Sequence, residues 1–227
     1  MKRIITALFF VLTFFIAKNV QAQFGISIGY SPEFIKGKSY LEGQLHPIKS
    51  TYRYQGLYAG LYYNFYLPKN FGITVEGHFR WRHAHYTMIM DLDSQTVWES
   101  YTNIYYFEIP VLPNYSFIIK QNFKLSLFLG PTLEYGLGGS IKTHTFGGSY
   151  SYDLTTHQFT YEEESWTEQK CFDSGKFIDR FHLYGLTGIA FSYRHINLST
   201  SYRYGFFNKN DTKMHASCIY LGIGYCF

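Results

Sequence analysis

The sequence predicts an all-β fold: an eight-stranded antiparallel up-and-down transmembrane β-barrel with a filled lumen. Three observations carry that reading. Eight segments alternate apolar with small or polar residues at period two, which puts one set on each face of a strand. One apolar run stands at the start, too short for a comfortable membrane-crossing helix, and no later run offers one. Short and long connections alternate between the segments, as in barrels with tight turns at one end and loops at the other.

The leading segment reads as a processing signal. Lys2 and Arg3 form a basic start, residues 4–17 an apolar stretch, and Val20-Gln21-Ala22 a small-residue cleavage site. Residues 1–22 are therefore expected to be a cleaved secretory signal peptide, and residues 23–227 one barrel domain. No cysteine stands at the cleavage site, which argues against a lipid anchor. Losing Lys2, Arg3 and Lys18 takes the formal net charge from +4 to +1, so the basic balance is no argument for nucleic acid. The chain holds 22 Phe and 23 Tyr, which suits a barrel with aromatic girdles at both membrane interfaces. A secreted β-sandwich alternates in the same way and is the structural rival.

The strands follow in order. Residues 24–34 put Phe24, Ile26, Ile28 and Tyr30 on one face and Gly25, Ser27, Gly29 and Ser31 on the other. Residues 56–67 alternate from Leu57 to Leu67, with Tyr58, Gly60, Tyr62 and Asn64 inward. A Pro68-Lys69-Asn70 turn leads to residues 71–86, where Thr74, Glu76, His78, Arg80 and Arg82 face in. Residues 104–117 point Tyr105, Phe107, Ile109 and Val111 outward and Glu108 inward. Lys120-Gln121-Asn122 turns the chain into residues 123–138, with Lys124, Ser126, Thr132 and Glu134 inside. Residues 181–193 and 196–207 are joined at Arg194-His195, and the second carries Arg203 inward. The final strand points Ile219, Leu221, Ile223, Tyr225 and Phe227 outward. Long loops are expected over 35–55, 87–103, 139–180 and 208–215.

An eight-stranded interior is just wide enough for side chains to fill it. Glu76, Glu108 and Glu134 are expected there against Arg80, Arg82 and Arg203, with His78 nearby. A hairpin turning at Gln121 sets Glu108 opposite Glu134. Two such carboxylates repel unless a cation separates them, and Arg80 and Arg82 are the candidates. This set is read as a structural charge network, since buried charges need partners in any case. An ion path or acid–base pair is the functional alternative.

His83 and His85 share a face near the loop end, where a metal site or catalytic base is conceivable. No serine motif accompanies them, so no catalytic residue is assigned and the chain is expected not to be an enzyme. Asp91, Asp93 and Glu162 to Glu164 lack the spacing of a calcium loop; no metal and no cofactor are expected. Lys36, Lys38, Lys49 and Arg53 in the first loop suit lipopolysaccharide phosphates. Tyr150, Tyr152, Phe159, Tyr161 and Trp166 in the third suit either a contact surface or strands rising above the membrane. Cys171, Cys218 and Cys226 are an odd set. Cys218 and Cys226 lie roughly 27 Å apart along one strand and cannot bridge. A Cys171–Cys218 bridge and three unpaired thiols both remain open.

Two stretches carry a resemblance. Tyr106-Phe107-Glu108-Ile109-Pro110-Val111-Leu112 resembles the Y-x-E-I-P-L-L stretch of outer-membrane β-barrel proteins of Bacteroidetes. Gly130-Pro131-Thr132-Leu133-Glu134-Tyr135 with Gly138-Gly139 is similar to their G-P-x-x-x-Y…G-G strand. The family includes PorT-like proteins, so the resemblance implies an outer-membrane barrel and an accessory part in secretion. The ending Leu221, Ile223, Tyr225 and Phe227 resembles the signal read by the barrel assembly machinery, which implies that partner during biogenesis. The expected role is therefore a non-enzymatic interaction protein of the outer membrane. Its partners would be outer-membrane lipids, lipopolysaccharide included, and a protein met at the extracellular loops. An outer-leaflet lipid-modifying hydrolase or acyltransferase is the alternative, and a small-solute channel a third.

Overall fold

Backbone pairing closes the main sheet on itself. In the computed structural model the residues described are 22–39, 48–91, 96–147, 151–153, 158–160, 163–172, 179–205 and 215–227. The expected signal segment, Ala22 apart, lies outside them. The strands are β1 (Ala22–Tyr30), β2 (Glu33–Ser39), β3 (Ile48–Tyr66), β4 (Phe71–Asp91), β5 (Thr96–Lys120) and β6 (Phe123–Gly147). They continue as β7 (Ser151–Asp153), β8 (Gln158–Thr160), β9 (Glu163–Lys170), β10 (Phe181–Tyr193), β11 (Ile196–Gly205) and β12 (His215–Cys226). Each main strand pairs antiparallel with the next, from β3 through β4, β5, β6, β10 and β11 to β12. β1 then pairs with β12 on one edge and β3 on the other, which completes an eight-stave ring.

The first stave is β1 and β2 in line, interrupted at Ser31-Pro32. Proline has no N–H to give the ladder. Its carbonyl still accepts from the Ile219 N–H at 3.1 Å, and the Ser31 N–H donates to the Gly56 carbonyl at 2.8 Å. Register survives the interruption: Tyr30 faces Leu221 and Glu33 faces Cys218 along the same ladder. The even spacing keeps Glu33 on the inward face.

Outward residues follow the expected parity. Ile28, Leu61, Leu129, Leu198 and Ile223 are half or more exposed and form an aliphatic band. Aromatic rings border it at the short-turn end, where Phe71 meets Tyr115 edge-on at 5.0 Å and Phe24 stacks on Phe227 at 5.8 Å. Such girdles mark the two interfaces of membrane barrels. The Phe227 N–H also donates to the Phe24 carbonyl at 2.9 Å, so this residue fastens the seam between the first and last staves.

Inward, small residues make room for large rings. The Tyr58 and Tyr62 rings lie over Gly29 and Gly25, where an added Cβ would collide with them. Lys69, Asn70 and Arg194 adopt left-handed backbone (φ 62°, 65° and 54°), as tight hairpin turns require.

The strands run well past the expected limits. β5 and β6 each span 25 residues, although about 9–11 suffice to cross a bilayer. Most of the loop expected over 87–103 is thus a hairpin, with Thr87 facing Glu99 and Trp98 facing Met88. The expected first loop is partly strand as well, where β2 pairs with β3. In the third, β9 adds to the far end of β6, and β7 pairs with β8 through Tyr152 facing Phe159. Tyr150 and Tyr161 lie outside the described residues. Long antiparallel pairing satisfies backbone groups in water as in lipid, so a membrane limit does not stop a strand.

Gly29→Val would drive a branched side chain into the Tyr58 ring. Overpacking of this kind costs about 1–3 kcal/mol. The urea midpoint of the refolded barrel, followed by heat-modifiable gel mobility, is expected to fall accordingly, with Ile28→Val on the lipid face nearly neutral.

Candidate functional site

Parity decides which side chains enter the lumen, and closure decides which of them meet. Glu33, Arg80, Arg82, Glu108, Glu134 and Arg203 converge in one layer, all nearly or fully buried. Arg80 touches all three carboxylates: Nη1 to Glu33 at 3.1 Å, Nε to Glu108 at 2.8 Å and Nη2 to Glu134 at 2.5 Å. Arg203 does the same, at 3.2 Å to Glu33, 2.8 Å to Glu108 and 2.6 Å to Glu134. Arg82 reaches Glu33 at 3.0 Å. The six formal charges balance.

Tyrosines supply the remaining polar contacts. The Tyr220 hydroxyl donates to both Glu108 oxygens at 3.0 Å, and the Tyr184 hydroxyl to Glu134 at 3.2 Å. The Arg203 guanidinium lies 4.0 Å from the Tyr184 ring centre, and Arg82 lies 4.5 Å from that of Tyr54. Planar guanidinium forks suit both duties, gripping carboxylates and stacking on rings.

Of the expected network, Arg80, Arg82, Glu108, Glu134 and Arg203 are brought together. Glu108 stands directly opposite Glu134 in the β5–β6 ladder. Arg80 lies between them, whereas Arg82 attends Glu33 instead and Arg203 completes the job. Glu76 is a correction: it sits apart, paired with His78 Nε2 at 3.0 Å. It lies four residues before Arg80 on β4 and two before the position that faces Glu108, so it stands below the cluster and meets His78 instead. Glu33 is the member the sequence reading passed over. Its signal was present, since it continues the inward series Gly25, Ser27, Gly29 and Ser31.

Below the charge layer the lumen opens into a polar cavity of about 270 Å³ that reaches the short turns at Gln121 and Arg194. One wall is a hydrogen-bonded relay in which Thr74 donates to Asn64 at 2.6 Å and Asn114 donates to Thr74 at 3.0 Å. Ser116 and Ser126 share a bond at 2.8 Å. His78, Tyr62 and Thr132 also line the space, and the His78 Nδ1 and Thr132 hydroxyl are buried without a protein hydrogen-bond partner. Ser27 and Glu76 both approach His78 at the same nitrogen, Nε2. A serine–histidine–carboxylate relay uses opposite ring nitrogens, so this geometry does not build one.

The upper end of the lumen is covered. Cys171 is fully buried beside Ile104 and Tyr106, and the Phe172 ring meets the Tyr106 ring edge-on at 6.0 Å. The Arg180 guanidinium lies over Phe172, and the Arg180 carbonyl accepts from the Gly136 N–H at 2.7 Å. All three cysteines are free thiols; Cys218 faces Arg80 at 3.8 Å, away from the pocket that holds Cys171.

His83 and His85 have separate neighbours. The Asn103 side chain takes His83 Nδ1 at 3.0 Å, and His85 stacks on Tyr101 at 4.3 Å. Among the described residues no cluster of three or more His, Cys, Asp or Glu is arranged to hold a metal; Asp93 and Glu162 lie outside them. Outside the membrane, Trp166 stacks on His144 at 4.0 Å, and His144 Nε2 meets Glu164 at 2.8 Å. Lys36 and Arg53 are exposed on the β2–β3 hairpin.

A closed antiparallel barrel with a lipid-facing apolar band and a charged interior is the architecture of an integral outer-membrane protein. The chain belongs to the outer membrane protein β-barrel domain family, whose model matches residues 17–210. No curated relative matches. Among solved structures the chain is similar to the attachment invasion locus protein Ail of Yersinia pestis (17% identity, 91% of this chain and 99% of that one, TM-score 0.44). It is also similar to Neisserial surface protein A (15% identity, 91% and 99%, TM-score 0.41). A third is the outer-membrane protease OmpT of Escherichia coli (12% identity, 91% and 96%, TM-score 0.43).

Arg203→Met leaves three buried carboxylates facing two guanidiniums. Breaking a buried network in this way costs about 3–5 kcal/mol. Urea titration of the refolded barrel is expected to show that loss, and a second change, Glu108→Gln, is expected to recover part of it. A midpoint unmoved by Arg203→Met would refute the structural role of the layer.

Proposed function

We propose that this protein is a non-enzymatic interaction protein of the outer membrane, exported by its leading segment and acting through its extracellular hairpins. The observation that carries the reading is the length of β5 and β6, which extend far past the bilayer and recruit β9 into a raised sheet. Function commonly sits where a rigid scaffold presents such segments to solvent. The stacked pair of His144 and Trp166 braces that sheet, and Trp166 stays 59% exposed. Lys36 and Arg53 on the neighbouring hairpin suit the phosphates of lipopolysaccharide.

The finer reading is an accessory part in secretion, like that of PorT-like barrels, with the β-barrel assembly machinery as partner during insertion. The charge layer and the Cys171–Phe172 cover favour this class over a solute channel, because among the described residues buried side chains fill the lumen at that level. An outer-leaflet lipid-modifying enzyme is the alternative.

Replacing residues 141–170 by a short turn is expected to leave a heat-modifiable barrel that no longer crosslinks to its partner in whole cells. Lipid A mass should be the same with and without the protein. A change in lipid A mass, rescued by wild type but not by His83→Ala, would instead establish the enzyme reading. In planar bilayers the purified barrel should give no discrete conductance steps.

A further inference from the structure

The cavity beneath the charge layer has no part in an activity carried by extracellular hairpins. It is nevertheless built. Its walls come from β1, β3, β4, β5, β6, β10, β11 and β12, the rigid staves of the ring. Its 270 Å³ lies just under the roughly 300 Å³ at which small-ligand pockets begin, which suits one ring rather than a chain. It opens at the short-turn end, which faces the periplasm in outer-membrane barrels.

The lining chemistry is specific. Amides and hydroxyls dominate one side, in the Asn64–Thr74–Asn114 relay and the Ser116–Ser126 pair. Phe128 and Leu112 offer an apolar patch on the same cavity. Two buried polar groups, His78 Nδ1 and the Thr132 hydroxyl, have no protein hydrogen-bond partner. Buried polar atoms take a partner, water or ligand, and both of these residues line the cavity. Hydroxyl and amide walls with an apolar patch match a sugar ring, which has polar edges and a less polar face. At the mouth stand Lys124, 5.0 Å from the Tyr66 ring centre, and Arg194, whose guanidinium lies 5.5 Å from the outward Tyr193 ring; the lining carboxylates Glu76 and Glu108 lie deeper and are engaged by His78 and by the guanidiniums above. The entrance therefore favours an anion.

We propose that this cavity is a periplasm-facing receptor for a single sugar ring bearing a carboxylate, with the ring held among the amides and hydroxyls and the acid at Lys124, Arg194 flanking the mouth. The same chemistry comes from two sources, the muramic residues of the cell wall and uronic acids of other polysaccharides. Binding at this end leaves the extracellular hairpins free, so the two activities are independent.

The test uses the full mature barrel folded in lauryldimethylamine oxide, a detergent without a sugar headgroup. N-acetylmuramic acid, glucuronic acid and N-acetylglucosamine are titrated by NMR, with folding of each variant checked by gel mobility. At least one acid sugar is expected to bind saturably, with a Kd on the order of 1 mM, and more tightly than N-acetylglucosamine. Whichever acid binds better identifies the source. Ser126→Leu, which fills the cavity, should weaken binding about tenfold or more, and Lys124→Gln should erase the preference for the acid. Nuclear Overhauser contacts between the bound ring and Phe128 place the sugar in wild-type protein without reliance on any variant. No saturable binding to the folded barrel, or binding without contact to Phe128, would overturn the proposal and leave a water-filled cavity. Equal affinity for all three sugars would overturn the acid subsite.

Discussion

Everything in this molecule follows from the need to pair each backbone N–H and C=O inside a membrane. Lipid offers no hydrogen bonds, so a sheet must close. Closure falls on the first stave, which pairs with β12 on one edge and β3 on the other, and which keeps its register through the interruption at Pro32. Once the ring is closed, strand parity leaves each side chain one of two fates. It faces lipid, as Leu129 and Ile223 do, or it enters an interior scarcely wider than two side chains.

The charge layer is the consequence. Glu33, Glu108 and Glu134 come from three staves, and Arg80, Arg82 and Arg203 from two more. Tyr184 and Tyr220 add β10 and β12, and Tyr54 adds β3. Every stave therefore contributes to one cross-lumen knot. Ladder bonds join only neighbours, whereas Arg80 and Arg203 each join three staves besides their own. Buried charges of this kind stabilise only when every member is satisfied, so the knot rewards one closed register over slipped alternatives.

The knot also divides the interior. Above it, Cys171 and Phe172 tuck into the mouth against Ile104 and Tyr106, and the strands continue outward as a raised sheet. Below it, small residues and amides leave a polar space open to the short turns. The two ends of the lumen thus differ in chemistry and are separated by a neutralised layer.

Parity, strand number, the short turns and the Glu108–Glu134 opposition were legible in the sequence, because period-two alternation and a tight turn determine face and register directly. Glu33 was legible too, as the next inward position after Ser31, although Pro32 obscured it. Other features were decided by the tertiary structure alone. Which cation meets which carboxylate depends on distance across the lumen, so Arg82 goes to Glu33, Arg203 joins Glu108 and Glu134, and Glu76 is left with His78. The lengths of β5 and β6 beyond the bilayer, the seat of Cys171 and the cavity beneath the knot likewise depend on where the ring places distant segments. Alternation along one strand records the face of each residue, and only closure of the ring sets what lies opposite it.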